Sequence, residues 1–256
     1  MSAQILAVAN QKGGVGKTTT TVNLAASLAS KGRRVLVVDL DPQGNATTGS
    51  GINKATIENG VYQVVLGETD IPNAVVRSKE GGYDVLGANR TLAGAEVELV
   101  QEIAREIRLK NALQLVADDY DYVLIDCPPS LTLLTLNGLV AANGVIVPML
   151  CEYYALEGIS DLVATVRKIR QAINPDLDVT GIVRTMYDSR CRLVVEGSEQ
   201  LKQHVGNLLF ETVIPRNIRL AEAPSHGLPA LAYDAHAKGT QAYLDLADEL
   251  IARLEK

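Results

Sequence analysis

The sequence holds little cysteine, little proline and no long apolar run. Its cysteines, Cys127, Cys151 and Cys191, are an odd number set far apart with no C-x-x-C pair, so neither a disulfide framework nor a local zinc knuckle is expected. That usage fits a reducing cytoplasm. Only 9 prolines in 256 residues, with 47% hydrophobic and 21% charged residues, exclude a disordered or fibrous chain and leave apolar surface enough for a substantial core. The most apolar stretch, Leu139 to Cys151, is interrupted by Asn143, Gly144 and Pro148, which excludes a membrane span of about 18 unbroken apolar residues. The start, MSAQILAVANQKGG, has no basic segment, long apolar segment or small-residue cleavage site, so no secretory leader is expected. Basic residues are outnumbered as well, 24 Lys and Arg against 30 Asp and Glu for a net charge of −6. This balance excludes a generally basic nucleic-acid coat and leaves room for a local basic patch.

What is present is a rhythm of short β-branched runs at 5–8, 35–38, 123–125, 145–147, 179–183 and 212–214, with helical patterns between them. Continuous apolar strands alternating with helices predict an α/β fold, a mostly parallel twisted sheet with helices on both faces. Between the first two runs, Val22, Ala25, Ala26, Leu28 and Ala29 fall at helical spacing. The pattern stops at Gly32, a plausible C′ glycine, and completes a βαβ unit. Residues 45–110 are less regular and punctuated by glycine, and read as an elaboration on the sheet, with a charged helical pattern from about Leu92 to Ala117. A last helix, about Lys238 to Leu254, sets Ala242, Tyr243, Leu246, Ala247, Leu250 and Leu254 on one stripe for packing on the core. With no linker, repeat or low-complexity tract, residues 1–256 read as a single domain.

After the first strand comes Lys12-Gly13-Gly14-Val15-Gly16-Lys17-Thr18-Thr19, leading directly into the first helix. Glycines let the backbone wrap a polyphosphate with its N–H groups and the helix N-terminus toward the negative charge, Lys17 adding a point cation. Thr18 is then placed to hold Mg²⁺. The strict pattern G-x-x-x-x-G-K-[ST] fails at its first position, where Gln11 stands. The second run ends in Asp39-Leu40-Asp41, beside the loop, where Asp41 is the candidate to orient water at a terminal phosphate. Asp39 reads equally as a structural carboxylate or a catalytic one. The apolar strand before Asp126-Cys127-Pro128-Pro129-Ser130 ends in an aspartate that reaches Mg²⁺, through water. Cys127 has no His nearby in sequence and reads as a buried small apolar residue, while His204, His226 and His236 lack metal-ligand spacing.

The extra lysine, Lys12, resembles the deviant Walker A loop of the ParA/MinD/nitrogenase-iron-protein group of P-loop ATPases. The strings Asp39 to Asn45, Asp126 to Ser130 and Ile214 to Gly227 (DLDPQGN, DCPPS and IPRNIRLAEAPSHG) resemble the ParA/Soj-type chromosome partition proteins over essentially the whole chain. The resemblance implies a P-loop NTPase fold, ATP/ADP and Mg²⁺ as cofactors, and slow ATP hydrolysis. It implies that Lys12 crosses the interface of an ATP-dependent homodimer to the other subunit's nucleotide, and that Pro215 and Asn217 lie beside the base. It further implies non-specific contacts to double-stranded DNA from Arg190 and Arg219, a ParB-type centromere-binding partner that stimulates hydrolysis, and a cytoplasmic, nucleoid-associated protein.

Charge agrees modestly, since residues 184–219 hold six Arg and Lys (184, 190, 192, 202, 216, 219) against four Asp and Glu. Other members of the group are alternatives. A MinD-like membrane regulator needs a C-terminal amphipathic helix with a cationic face, and the tail DLADELIARLEK has four acids against two bases. An iron–sulfur carrier needs paired cysteine motifs, which are missing. A metabolic ligase of the same fold class would answer to a metabolite rather than to DNA. A helix-turn-helix extension is not expected, because only eleven residues precede Lys12.

Overall fold

The computed structural model describes residues 3–151 and 155–255; Met1 and Ser2 of the leader reading and Lys256 of the tail count lie outside them. The strands are β1 (Gln4–Val8), β2 (Val35–Asp39), β3 (Val75–Ser78), β4 (Tyr83–Leu86), β5 (Tyr122–Asp126), β6 (Gly144–Leu150), β7 (Asp178–Tyr187) and β8 (Leu209–Pro215). They form one sheet in the order β3-β4-β2-β5-β1-β6-β7-β8. Every neighbouring pair is parallel except β3 with β4. The six apolar runs all fold as strands. Along each central strand successive side chains enter opposite cores: Ile5 and Ala7 one, Leu6 and Val8 the other. That is why these runs are continuously apolar rather than alternating.

The helices are α1 (Lys17–Ser30), α2 (Asn45–Gly49), α3 (Val61–Leu66), α4 (Ile71–Ala74), α5 (Leu92–Glu98), α6 (Arg108–Gln114), α7 (Leu133–Ala141), α8 (Ala155–Ala172), α9 (Arg192–Val205), α10 (Ile218–Glu222), α11 (Ala230–Tyr233) and α12 (Lys238–Leu254). On one face, Leu24 and Leu28 of α1 and Tyr243, Leu246 and Leu250 of α12 pack on Leu6, Val37, Leu124 and Phe210. On the other, Leu92, Leu109, Leu139 and Leu162 pack on Ile5, Val38, Ile125 and Val147. Fully burying each such Leu side chain contributes about 1.5–3 kcal/mol. At the end of α1, Gly32 has φ +78, and its N–H and that of Arg33 bond back to the carbonyls of Ala29 and Leu28. This is the left-handed helix stop that the sequence pattern anticipates.

The charged pattern from Leu92 to Ala117 is not one helix. It breaks into α5, a single 3₁₀ turn at Leu99–Gln101, a bend with Ala104 at φ +55, and α6. Asn137 of α7 fixes the break by accepting the N–H of Leu109 at 3.2 Å and donating to the carbonyl of Arg105 at 2.8 Å. Val97, Val100 and Ile103 are left exposed, so the pattern's apolar positions do not share one buried stripe. Among the described residues no helix is long and apolar enough to cross a membrane.

At the far edge of the sheet, Glu249 of α12 accepts the backbone N–H groups of Glu211 and Thr212 in β8 at 2.8 and 3.0 Å. Arg253, one turn on, lies 4.1 Å from the centre of the Phe210 ring. In the middle, β1 is flanked by β5 and β6. The chain turns to opposite sides of β1 there, and such a switch point opens a crevice at the carboxyl ends of the strands. The glycine-rich loop leaves β1 into that crevice.

Candidate nucleotide-binding site

Gly14 and Gly16 stand at φ +72 and +88, a region that side-chain-bearing residues avoid. Gly16 is the N-cap of α1 and offers no side-chain cap. The first turn of α1 therefore presents its N–H groups to a cleft of ≈ 370 Å³ lined by Gly13, Gly14, Gly16, Lys17, Thr18 and Thr19, with Asp41, Pro129 and Met186 opposite. This is an anion-binding arrangement. Val15 turns its side chain into the core and leaves only its backbone to the loop. Lys12 is exposed. Its carbonyl accepts the Lys17 ammonium at 3.1 Å. Lys17 is 8% exposed; burial lowers its pKa, and Asp126 nearby opposes that shift.

Behind the loop, the Thr18 hydroxyl donates to Asp126 at 2.7 Å and the Thr21 hydroxyl to its other oxygen at 3.2 Å. Burial pushes the Asp126 and Asp39 carboxyls above their usual range, and repulsion from Asp39 adds to the shift of Asp126. A cation at Thr18 and Asp126 would reverse that penalty. The donors, a hydroxyl and a carboxylate, are the hard oxygens that Mg²⁺ takes, and among the described residues no cluster of three or more His, Cys, Asp or Glu competes with them. Such an ion would complete its shell from phosphate and water.

The two candidate roles of Asp39 are separated by its bonds. Its oxygens accept the N–H of Asp41 and both the N–H and hydroxyl of Thr47, the last two at 2.8 and 2.7 Å. It is fully buried and holds the turn that carries Asp41. Asp41 is part-exposed on the phosphate cleft, where its carboxylate accepts the N–H of Gln43 at 2.9 Å. Cys127 is buried, and burial raises its thiol pKa; it lacks the character of a nucleophile.

A second cleft, ≈ 280 Å³, adjoins the first and shares Gly16, Thr19 and Met186 with it. Pro215 and Asn217 line it, with Leu220 and Tyr243. An apolar slot running into a phosphate cleft matches the two halves of a nucleotide. Sequence reading missed Thr185, Met186, Leu220 and Tyr243. Met186 has φ +51, a conformation that nothing in its local sequence announces.

Arg190 and Arg219 line neither cleft; they lie on the segments that follow β7 and β8, neighbouring parallel strands. Arg190 is 89% exposed and paired with Asp188 through two 2.9 Å bonds, which hold the Asp188 pKa down at about 2. Arg219 reaches Glu222 at 2.8 Å and Asp234 at 3.3 Å. The charge count over 184–219 needs one correction. Arg184 is 4% exposed and spends its guanidinium on Ser198 and on the carbonyls of Phe210 and Glu211, so it adds nothing to a surface patch.

Comparison with known proteins bears on the family and the fold. Residues 3–179 match the family described as an AAA domain. The chain is 51% identical over 249 residues to the Bacillus subtilis sporulation initiation inhibitor protein Soj, covering 97% of this chain and 98% of that one. It is 47% identical over 252 residues to the Caulobacter vibrioides chromosome partitioning protein ParA, covering 98% and 94%. Among solved structures, one described as a cobyrinic acid a,c-diamide synthase from Mycobacterium smegmatis, with bound ATP analogue and magnesium, superposes with TM-score 0.87 at 40% identity, covering 99% of this chain and 96% of that one. Loop, strand-end aspartates, sheet order and full-length similarity converge on one assignment: the chain belongs to the ParA/Soj family of chromosome-partitioning P-loop ATPases.

Proposed function

We propose that this chain, acting as one unit over residues 1–256, is a nucleotide-operated switch in DNA partition. ATP with magnesium joins two copies, the dimer holds double-stranded DNA without sequence preference, and a ParB-type partner stimulates hydrolysis and releases it. The observation that carries the reading is the continuity of the glycine-loop phosphate cleft with the apolar cleft at Gly16, Thr19 and Met186, next to the two arginine segments.

In this reading the backbone of Gly13 to Thr19 and the Lys17 ammonium bind the phosphates. Thr18, and Asp126 through water, hold magnesium, which neutralises phosphate charge when bound. Asp41 orients the attacking water, and Lys12 reaches the nucleotide of the other copy. Pro215 and Asn217 flank the base. Arg190 and Arg219 touch DNA phosphates.

The test is binding to a random-sequence duplex at low salt with ATP, with ADP and without nucleotide, alongside Arg219→Ala. Tight binding confined to ATP and weakened by the substitution is expected. Binding that ignores nucleotide or Arg219 overturns the reading. The Mycobacterium neighbour favours a second reading, ATP-driven activation of a small carboxylate; turnover accelerated by a corrinoid acid, and not by DNA, would select it. Against the MinD-like alternative, α12 buries its apolar stripe against α1 and the sheet rather than offering it to a membrane. ATP-dependent co-sedimentation with anionic liposomes would restore it.

A further inference from the structure

We infer that Thr185 is a positioning residue for ATP turnover, its hydroxyl fastening the phosphate loop to the strand that carries the base cleft. Thr185, near the end of β7, is 3% exposed. Its Oγ1 lies 2.8 Å from the carbonyl of Val15 and 3.1 Å from that of Met149. One proton is thus shared between the glycine loop and the end of β6. Val15 sits between the two left-handed glycines, Gly14 and Gly16, which have no Cβ to stiffen the backbone on either side of it. The Thr185 methyl lies beside Gly16, 3.8 Å from where a Cβ would stand.

The next two residues continue the link. Met186 lines both clefts. The Tyr187 carbonyl accepts the N–H of Arg216 at 3.2 Å, and Tyr187 pairs with Pro215 in the base wall. Three consecutive residues therefore tie the loop that receives phosphates to the wall that receives the base. A nucleotide spans both, so slack between them misplaces the reacting phosphate, and small displacements cost large factors in rate. Without the hydroxyl, the Val15 carbonyl loses this partner in a buried setting.

The inference rests on reading these clefts as the ATP site. The experiment measures kcat and KM for Mg-ATP, ADP affinity, and nucleotide-free melting temperature in the full chain, for the natural protein, Thr185→Val and Thr185→Ser. Val keeps the shape without the hydroxyl; Ser keeps the hydroxyl without the methyl. We expect kcat to fall about tenfold in Val, the size of one lost buried hydrogen bond, with a smaller change in KM. Ser recovers most of the loss, and all three proteins melt within a few degrees of each other. Parameters for Val within twofold of the natural protein overturn the inference, as does an equal fall in Val and Ser, which assigns the effect to packing. A Val protein that is unfolded at assay temperature also overturns it, in favour of a purely structural part. Failure of the natural protein to bind nucleotide is a different result, since it removes the site reading itself.

Discussion

Arg219 is held by two acids, Glu222 and Asp234, and Glu222 also accepts the Tyr233 hydroxyl at 3.3 Å. Exposed ion pairs of this kind are weak and screened by salt, so a DNA phosphate can displace them at a modest cost in affinity. Glu222→Gln is expected to tighten duplex binding about threefold at low salt. The same substitution placed on Arg219→Ala should bring no gain. A gain that survives the loss of Arg219 would report general charge repulsion instead. Residue types were legible at this scale wherever chemistry dictates them, as in the glycines, Lys17, Thr18 and the strand-end aspartates. What composition cannot convey is which polar atoms are already engaged. Asp39 and Arg184 look like functional charges in the sequence, and their partners, Thr47 in one case and the carbonyls of Phe210 and Glu211 in the other, show them to be braces.

Among the elements, α7 ends inside the protein, where its last carbonyls need donors. The buried amide of Asn174 supplies them, 3.3, 3.0 and 2.7 Å from the carbonyls of Leu139, Val140 and Ala142. Asn174→Ala should lower stability by about 2 kcal/mol or more through the unpaired carbonyls left behind. Urea unfolding checks this, and a midpoint unchanged from the natural protein would show that water replaces the amide. The six long strands were readable because both faces of the sheet are covered, which demands uninterrupted β-branched runs. β3 and β4 were not. They are four residues each, and β3 is an antiparallel edge with Val76 and Arg77 exposed. The Leu92 to Ala117 pattern misled for a related reason: periodicity cannot reveal that Asn137, a residue from another helix, holds the break between α5 and α6.

For the molecule as a whole, the proposed switch depends on joining two copies. If two arginines per subunit touch phosphates, a dimer would make about four contacts, for a slope of log K against log salt near −3.6 and roughly a hundredfold loss between 50 and 200 mM salt. A single subunit would bind far more weakly, and pairing supplies the effective concentration that makes the difference. Lys12→Ala should then lower partner-stimulated hydrolysis by about 10³-fold, the scale of a cation placed on a transferring phosphoryl group. Steady-state phosphate release with DNA and partner present measures it, and undiminished turnover would remove Lys12 from the mechanism. The fold class was legible at this scale, and so was the meeting of loop and aspartates at the strand ends. The second cleft was legible only in part: the family resemblance named Pro215 and Asn217, whereas Thr185, Leu220 and Tyr243 come from three elements that only the finished sheet brings together.

The Glu249 carboxylate on β8 bears on how copies of this chain can meet. A ninth strand docking beside β8 would need the N–H groups of Glu211 and Thr212, and α12 already occupies them. Open-ended growth, strand upon strand, is closed off along that border. On the proposed function, a protein that gathers on DNA at high local density and then disperses would thereby be kept from gelling with itself at this edge, and contact between copies would be left to surfaces that a bound nucleotide makes and unmakes.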